Sequence, residues 1–372
     1  MEIKQAIIAY DPKMNQDLPS EIVSDILLRL PLENVVTCKC VCKQWLNVAE
    51  TDDFVHSHLS KSAPTTPVLV VSMPGTHSNW FNVFRLEDEH EHGHKHDPII
   101  KFDFPQASTI QGSANGLLLL KNPFLDHLYV CNPITREFVE LSGPHTRPRG
   151  DCYGFGVGKI SGKHKVVYLN PKSKCHAYTL ETGSSWRRIE AIPLFDHCYS
   201  SVGAFVNGNL HWLVSSGGKR PYICCFNVET ECFSTFSAPI ENYFAKLYTL
   251  GDCLCYGEAD PYEDDHVMWL LTEYEEGENG WSDLHVILPK EGYYGTDGYN
   301  HFQAIKVYAN GDMLILWDEK LFAYYCNKEN TMREIGLFGK LQDDCYYINS
   351  VLLAPNFLSL SRNLRLENVM SF

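Results

Sequence analysis

A strand–turn–strand pattern that recurs at a nearly constant interval constrains the fold of this chain more than any other sequence feature. Five copies have their turns near Asn132, Glu181, Asn227, Gly277 and Asn327, so the steps between them are 49, 46, 50 and 50 residues. Each copy places runs rich in Val, Leu, Tyr, Phe and Trp on both sides of turn residues, which is typical of antiparallel strands. A repeat of this length indicates stacked or ring-arranged units of a single architecture.

A second kind of hairpin lies within the same units. Its turns are the dipeptides Asn207-Gly208, Gly251-Asp252 and Asn310-Gly311, which favour tight hairpins because they adopt positive φ at little cost. With a less regular copy of the first hairpin in "NVFRLEDEHEHGHKHDPIIKF", the pattern predicts an all-β, six-bladed β-propeller whose closure covers the strand edges. The alternative is a set of unrelated hairpins in a β-sandwich, which the even spacing disfavours.

The first sixty residues have a different, helical period. In "DLPSEIVSDILLRLP" the residues Ile22, Ile26, Leu27 and Leu30 form one apolar stripe. Two further short helical stretches follow, "LENVVTCKC" and "VCKQWLNVAE". "TDDFVHSHLSKSAPTTP" is then expected to run into a polar, proline-punctuated linker. We therefore predict a small all-α domain of three helices, which is too small to bury much surface without a partner.

Three cysteines at alternate positions, Cys38, Cys40 and Cys42 in "CKCVCKQW", raise the question of a metal or redox site. Structural zinc sites use pairs spaced C-x₂₋₄-C, and redox sites use C-x-x-C. Spacing of two fits neither, and on one helix it would turn neighbouring side chains to opposite faces. The cysteines are therefore expected to pack as small apolar residues.

The formal charge is 31 − 46 = −15, which argues against general nucleic-acid binding, since that requires a basic surface. No run of about 18 apolar residues is present to span a membrane, and the apolar patch near the N-terminus is too short for a signal-peptide core. These features predict a soluble intracellular protein, with its 14 cysteines mostly reduced.

The N-terminal pattern resembles an F-box. The matching features are Leu18-Pro19, the stripe that ends at Leu30-Pro31, and Val41-Cys42-Lys43 followed by Trp45. The resemblance implies that the chain breaks near Cys40 and that the helices dock on a Skp-type adaptor, which joins them to a cullin scaffold. By the same resemblance, the residues that make or support the adaptor interface are Leu18, Pro19, Ile22, Ile26, Leu30, Pro31, Val35, Val41, Cys42 and Trp45.

The remainder resembles the F-box-associated domain of plant proteins, which is kelch-like. "NGLLLL", "CNPITREFVEL", "YGFGVGKISGKHKVVYL", "YTLETGSSWRRI" and "GAFVNGNLHWL" carry the resemblance. The chain departs from that pattern after Gly154-Phe155-Gly156, where Val157-Gly158-Lys159 replaces an aromatic residue and an acidic turn. The expected domains are an extension at 1–14, the F-box at 15–60, a linker at 61–66, the propeller at 67–358 and a tail at 359–372.

In kelch-like blades, one rim of the ring carries the loops between second and third strands and the loops between blades. Aromatic and arginine side chains are the usual energetic anchors of interfaces. By this analogy, the residues expected to contact a target are Trp80, Arg147, Arg149, Tyr153, Lys219, Arg220, Tyr243, Tyr262, Tyr293 and Tyr294. The sequence does not distinguish two roles for the tail "SLSRNLRLENVMSF", which either closes the ring or forms a free segment.

Candidate chemistry is sparse. His90, His92, His94 and His96 alternate along one stretch and could meet on one strand face as metal ligands, but a solvated polar loop is the simpler interpretation, so no metal and no cofactor are expected. No G-x-S-x-G nucleophile motif occurs. The acidic stretch between Leu247 and Pro289 has 11 acidic residues and no Lys or Arg; it is expected to be solvated, or else to attract a basic partner.

The resemblance implies a non-catalytic substrate receptor of an SCF-type ubiquitin ligase, cytoplasmic or nuclear, whose propeller binds a protein target. Two alternatives remain open from the sequence. One is a propeller enzyme or small-molecule binder with a helical cap, which predicts a central pocket with perturbed acids or a metal. The other is an F-box protein that assembles or sequesters partners outside a ligase.

Overall fold

The computed structural model describes residues 18–61, 67–73, 79–86, 97–122, 124–125, 127–143, 151–171, 174–190, 193–242, 245–257, 265–273, 280–287, 302–335 and 347–372. The chain divides into two compact units, Met1–Pro64 and Thr65–Phe372. The described part of the first unit is helical, and that of the second is built from strands.

Four short helices make up the first unit: α1 (Ser20–Leu27), α2 (Leu32–Cys38), α3 (Lys43–Ala49) and α4 (Asp52–Lys61). α1 and α2 each begin directly after a proline, Pro19 and Pro31, whose fixed φ is compatible with a helix start. α1 contacts α3, and α3 contacts both α2 and α4. The first three helices agree with the sequence prediction.

The fourth helix corrects that prediction, which placed the beginning of a linker here. The Thr51 hydroxyl accepts a hydrogen bond from the Phe54 N–H at 3.2 Å, and two aspartates, Asp52 and Asp53, occupy the first turn. This is a helix start of the kind that a side-chain cap and the helix dipole favour. Phe54 and His58 then lie one turn apart on the buried face, with their rings 5.8 Å apart.

The second unit is a six-bladed β-propeller, as predicted. Its strands in chain order are β1 (Val68–Ser72), β2 (Trp80–Arg85), β3 (Ile100–Asp103), β4 (Thr109–Ala114), β5 (Leu117–Lys121), β6 (Leu128–Asn132), β7 (Glu137–Leu141), β8 (Cys152–Val157), β9 (His164–Asn170), β10 (Lys174–Thr179), β11 (Arg187–Ile189), β12 (His197–Cys198), β13 (Ala204–Val206), β14 (Asn209–Ser215), β15 (Tyr222–Asn227), β16 (Phe233–Ser237), β17 (Lys246–Leu250), β18 (Cys253–Gly257), β19 (Asp265–Glu273), β20 (Gly280–Ile287), β21 (Phe302–Val307), β22 (Met313–Trp317), β23 (Leu321–Cys326), β24 (Thr331–Ile335), β25 (Asn349–Leu353) and β26 (Met370–Ser371).

Each blade is an antiparallel sheet. Blade 1 has the order β25-β1-β2-β3, blade 2 β4-β5-β6-β7 with β26 outside β7, blade 3 β8 to β11, blade 4 β12 or β13 followed by β14-β15-β16, blade 5 β17 to β20 and blade 6 β21 to β24. The repeating hairpins of the sequence are the third-to-fourth strand hairpins, β2–β3, β6–β7, β10–β11, β15–β16, β19–β20 and β23–β24. The Asn-Gly and Gly-Asp turns join first to second strands in blades 4, 5 and 6.

The ring is closed by the pairing of β25, the strand that follows blade 6, with β1 of blade 1. β25 pairs with β1 in the register Val70↔Val351, so blade 1 takes its innermost strand from a residue range near the C-terminus. The first strands face one another around the ring: β25 contacts β4, β4 contacts β8, and β13 contacts β8 and β17. A closed ring leaves no free inner edge, which is how propellers protect their strands.

The apolar core is distributed between neighbouring blades rather than concentrated at one centre. Between blades 3 and 4, Trp212 is fully buried, and its ring lies where a side chain on Gly154 would be, since a Cβ there would be 2.6 Å from Cζ2. Gly154 and Gly156 lie in β8, so this glycine-rich stretch serves close packing and not phosphate binding.

Two rims follow from this topology. The connector rim carries the loops that join second to third strands within a blade and those that join one blade to the next. The hairpin rim carries the turns that join first to second and third to fourth strands. The two rims lie on opposite ends of the strands.

The tail 359–372 lies against blade 2. β26 pairs with β7, and the Phe372 ring packs on the core cluster between blades 1 and 2. Before it, the Asn132 side-chain amide donates to the carbonyls of Asn356 and Leu358 at 3.1 and 2.7 Å. The tail is therefore not a free segment, and its strand β26 extends blade 2.

Candidate protein-binding surfaces

The helical unit is apolar on two faces of α1. Val23 and Leu27 are fully buried against the other helices. Leu18, Ile22 and Ile26, spaced one turn apart, instead remain 47%, 50% and 37% exposed. Apolar side chains one turn apart form a continuous stripe on a helix, so α1 presents an apolar stripe outward as well as inward.

The same surface is extended by the turn before α3. The Gln44 side chain donates a hydrogen bond to the Leu18 carbonyl, which ties the start of α3 to the segment that leads into α1. Val41, in that turn, is 65% exposed, and Cys42 is exposed beside it. Contiguous exposed apolar groups of this kind mark interaction sites. We call Leu18, Ile22, Ile26 and Val41 the helical apolar patch.

The other residues expected at this surface have different positions. Pro19 and Pro31 are exposed, Leu30 and Trp45 are half-buried, and Val35 is fully buried. Val35 therefore supports the helices from inside and makes no contact at the surface. The chain does turn at Cys40, between α2 and α3, so Cys38 and Cys42 belong to different helical segments.

Ten residues were expected to contact a target. Three of them are accessible on the connector rim. Trp80 begins β2 and is 41% exposed, with the Lys101 ammonium 4.7 Å from its ring centroid. Lys219 and Arg220 are exposed in the loop between β14 and β15, and Arg220 pairs with Glu241 at 2.7 Å. The six that lie outside the described residues are Arg147, Arg149, Tyr243, Tyr262, Tyr293 and Tyr294.

Tyr153 has a different environment from the one expected of a rim residue. It lies in β8, is 3% exposed, and has the Lys121 ammonium 4.8 Å from its ring centroid. Its backbone N–H and carbonyl bond to Ser201 and Gly203 of the next blade at 2.8 and 2.7 Å. Its role in this structure is to join blades 3 and 4.

Three exposed apolar side chains on the connector rim are not among the residues that the sequence predicted to contact a target. Phe124 is 91% exposed and Leu125 is exposed beside it, both in the loop between β5 and β6, and Leu194 is exposed between β11 and β12. The Asn122 side chain accepts hydrogen bonds from the backbone N–H groups of Phe124 and Leu125 at 2.9 and 3.0 Å. This fixed turn holds the Phe124–Leu125 pair outward.

All four candidate metal ligands lie outside the described residues. His90, His92, His94 and His96 belong to the stretch between β2 and β3 that the structure leaves undescribed. His90, Glu91 and His94 also match H-E-x-x-H, a motif that binds zinc when it lies on a helix. Across the described residues, no cluster of three or more His, Cys, Asp or Glu side chains could hold a metal ion.

One thiol and one imidazole lie close together in the propeller core, and burial shifts the pKa of both. The Cys225 thiol lies 3.5 Å from Nε2 of His211. Burial raises the pKa of Cys225 to about 11 and lowers the pKa of His211 to about 4. A nucleophilic thiol needs the opposite shift and access to solvent, so this pair belongs to the core.

The cysteines of the described residues are all free thiols. Cys131, Cys175 and Cys224 are buried, and burial raises the pKa of each. They pack as small apolar residues of the core. Cys40 and Cys42, for which the sequence predicted packing of that kind, are instead exposed, because they lie in and beside the turn between α2 and α3. Within the described ranges, no helix is both long and apolar enough to cross a membrane.

Comparison with known proteins matches both units. The family described as F-box associated beta propeller domain matches residues 69–356, and the F-box domain family matches residues 16–57. Similar proteins include F-box protein At5g65850 of Arabidopsis thaliana, 27% identical over 290 residues that cover 73% of this chain and 71% of that protein. F-box protein At1g47340 of the same plant is 26% identical over 358 residues, which cover 85% and 74% of the two chains.

Proposed function

This chain belongs to the F-box associated beta propeller family, with an F-box ahead of the propeller, and on that premise we propose that it is the substrate-recognition subunit of an SCF-type ubiquitin ligase. F-box domains bind Skp-type adaptors. In this proposal the adaptor joins the chain to a cullin scaffold, and the propeller holds a target protein. The chain acts in the cytoplasm or the nucleus.

The helical apolar patch is the observation that carries the proposal. Val41 is 65% exposed and Ile22 50% exposed on a unit whose own core is small. Exposed apolar area of this kind is unfavourable in water and becomes favourable when a partner covers it, at about 25 cal/mol per Å² buried. A hydrophobic adaptor surface fits this patch, whereas a cap that served only the propeller would have no need of it.

The connector rim supplies the surface for a target. Trp80, Phe124 and Leu125 are exposed there, and large apolar and aromatic side chains are the usual energetic anchors of interfaces. The rim also carries Arg220 and Lys219, which suit acidic groups of a target.

Ubiquitin transfer in this proposal depends on proximity. A receptor that holds a target beside the charged conjugating enzyme raises the effective concentration of target lysines. No residue of this chain forms or breaks a bond. In support, Cys225 and His211 are buried together in the core, with pKa shifts opposite to those of an activated nucleophile.

Co-purification with a plant Skp-type adaptor tests the proposal. The full chain is expected to retain the adaptor at one-to-one stoichiometry, and a chain that lacks residues 17–60 is expected to lose it. If the two chains behave alike, the assignment of the helical unit is wrong. Adaptor retention combined with normal turnover of every propeller partner would instead support an assembly or sequestering factor.

A further inference from the structure

Blade 2 carries an additional strand on its outer edge. Met370 and Ser371 of β26 pair antiparallel with Phe138 and Glu137 of β7, and the Phe372 N–H continues the ladder by donating to the Arg136 carbonyl at 3.1 Å. In the described parts of the other blades, the order of strands ends at the fourth strand. The β7 edge is thus engaged by an extended segment of the chain itself.

An aromatic cluster lies beside this edge. The Phe372 ring is 5.1 Å from Phe104 at 87°, 5.3 Å from Phe102 and 6.1 Å from Phe138. Phe102 belongs to blade 1 and Phe138 to blade 2, so the ring of Phe372 fills a site between two blades. The edge-to-face contact with Phe104 has a favoured geometry for an aromatic pair, and the contacts with Phe102 and Phe138 are tilted, at 48° and 57°.

These two elements together have the form of a peptide-binding site. Main-chain bonds to a strand edge give affinity, and a pocket for one side chain gives specificity, which is the β-augmentation mode of recognition. The segment now bound shows the chemistry that fits: an extended backbone over two residues, followed by an aromatic side chain.

The chain before the bound segment is anchored by side-chain hydrogen bonds to Glu137. The Glu137 carboxylate accepts hydrogen bonds from the Ser359 and Ser361 hydroxyls and from the Leu360 N–H, at 3.0, 2.6 and 2.7 Å. Beyond this anchor, Met370 and Ser371 are exposed and Phe372 is half-buried. The segment beyond the anchor is therefore able to leave locally while residues 356–361 stay in place.

The connection between anchor and strand contains two non-glycine residues in the left-handed region. Arg365 has φ of 52° and Asn368 has φ of 58°. Asparagine tolerates this region and arginine does so at a cost. The Arg365 carbonyl accepts a hydrogen bond from the Thr182 hydroxyl, and the Leu366 N–H donates to the Leu360 carbonyl at 3.0 Å. The chain is thus held as far as Leu366, and the paired residues 370–372 lie beyond these bonds.

We propose that the outer edge of β7 and the cluster of Phe102, Phe104 and Phe138 form an exchangeable peptide-binding site. Its ligand is an extended segment of a partner protein that ends its paired stretch with an aromatic side chain. In the isolated chain, residues 370–372 occupy the site and compete with such a partner. The inference is independent of the function proposed for the helical unit and the connector rim.

The test uses a chain truncated after Leu364, which keeps the Glu137 anchor, and a fluorescent peptide of residues 365–372. The truncated chain is expected to bind this peptide saturably. The full chain is expected to bind it roughly 100-fold more weakly, because its own segment competes at high effective concentration. A peptide that carries Phe372→Ala is expected to lose binding. A folded truncated chain that binds neither peptide, or both equally, overturns the proposal.

A second variant keeps the test decisive if the truncated chain fails to fold. In the full chain, Phe372→Ala weakens the internal segment without removing it, so the wild-type peptide is expected to bind this variant more tightly than the wild-type chain. Ile160→Ala, which removes an exposed apolar side chain between β8 and β9, is the control and is expected to leave binding unchanged. Equal peptide affinity for Phe372→Ala and wild type contradicts the proposal.

Discussion

The side chain of Asn132 is fully buried and donates hydrogen bonds to the carbonyls of Asn356 and Leu358. Both carbonyls belong to the segment that follows β25, the strand that closes the ring. Its oxygen accepts from the Ile134 N–H at 2.9 Å. One asparagine in a hairpin turn of blade 2 thus holds both its own turn and a segment 224 residues further along the chain.

Asn132→Ala is therefore expected to destabilise the propeller by about 3 kcal/mol, because it leaves several buried polar groups without partners. Chemical denaturation followed by tryptophan fluorescence measures the change. Asn209→Ala is the matched control: that half-buried side chain accepts a hydrogen bond from Asn227 at 2.9 Å and donates one to the nearby Asn207 carbonyl at 3.3 Å, and its loss is expected to cost about 1 kcal/mol. Equal costs for the two variants would show that Asn132 does not hold the segment.

Ile22→Asp is expected to weaken adaptor binding by about 2 kcal/mol or more, which is roughly 30-fold in Kd. The change places a charge in the centre of the helical apolar patch, where an adaptor would desolvate it. Isothermal calorimetry with the purified adaptor measures the effect. The control is Ile160→Asp, at a position that is 90% exposed on the propeller; it is expected to bind the adaptor normally, and a loss in both variants would contradict a specific patch.

Gly154→Ala is expected to destabilise the propeller by about 1–3 kcal/mol through overpacking. Its Cβ would lie 2.6 Å from Trp212 and 2.9 Å from Leu210, both buried between blades 3 and 4. Gly217→Ala provides a comparison, since that site has φ of +60° but nothing within 4 Å of the added carbon. Thermal melts of the two variants separate steric crowding from backbone strain, and a smaller loss in Gly154→Ala than in Gly217→Ala would refute the packing argument.

Stability is expected to fall as the pH decreases from about 6.5 towards 4. Burial lowers the pKa of both His211 and His164 to about 4, whereas an unfolded histidine has a pKa of about 6.5. Between these values the unfolded chain binds more protons, so protonation favours unfolding, by about 2 kcal/mol for each residue at pH 5. The neutral side chains keep their full contribution above the unfolded pKa.

Urea titrations at pH 7 and pH 5 measure this difference. Nδ1 of His211 lies 3.1 Å from the Ala204 carbonyl, and an asparagine at this position retains a donor towards that carbonyl. His211→Asn is therefore expected to reduce the pH dependence of the unfolding free energy by the contribution of one histidine. His164→Asn is expected to do the same, and the double variant to remove both shares. An unchanged slope in either single variant would mean that the residue does not titrate as its burial implies.

Alkylation should separate the cysteines by burial. Cys40, Cys42 and Cys232 are exposed and are expected to react with iodoacetamide in the native chain within minutes. Cys131, Cys175 and Cys224 are buried with raised pKa values and are expected to react only after unfolding, because the thiolate is the reactive form. Peptide mass spectrometry identifies the modified sites; rapid native labelling of Cys224 would contradict the packed interface between blades 3 and 4.

The sequence predicts the propeller well because its signals are local. The turn from Asn132 to Thr135 and the Asn207-Gly208 turn can each be recognised as a hairpin turn from a few residues. The number of repeats predicts the number of blades. The helix α4 was missed because its signal, Thr51 as a cap followed by two aspartates, resembles that of a polar loop until Phe54 and His58 are seen to share a buried face.

The surfaces were harder to predict, because exposure depends on partners that are distant in sequence. Tyr153 and Phe124 are both aromatic residues near the connector rim, yet one is 3% and the other 91% exposed, since only Tyr153 meets the next blade. The tail also lacks a strand pattern, because β26 pairs through two residues. Its placement depends on Glu137, 222 residues before Ser359, which no local pattern encodes.

The pairing of β1 with β25 also determines when the propeller can be completed during synthesis. Val70 and Val351 are partners in this ladder, so the inner edge of β1 stays unpaired until most of the chain has been translated. At the usual 5–20 residues per second this interval is on the order of tens of seconds, far longer than a hairpin needs to form. The contacts of the helical unit can form once its own short range has been translated, whereas the open edge of β1 is exposed to aggregation throughout that time. A nascent chain that stalls before residue 349 therefore presents a folded helical unit joined to an unfinished ring.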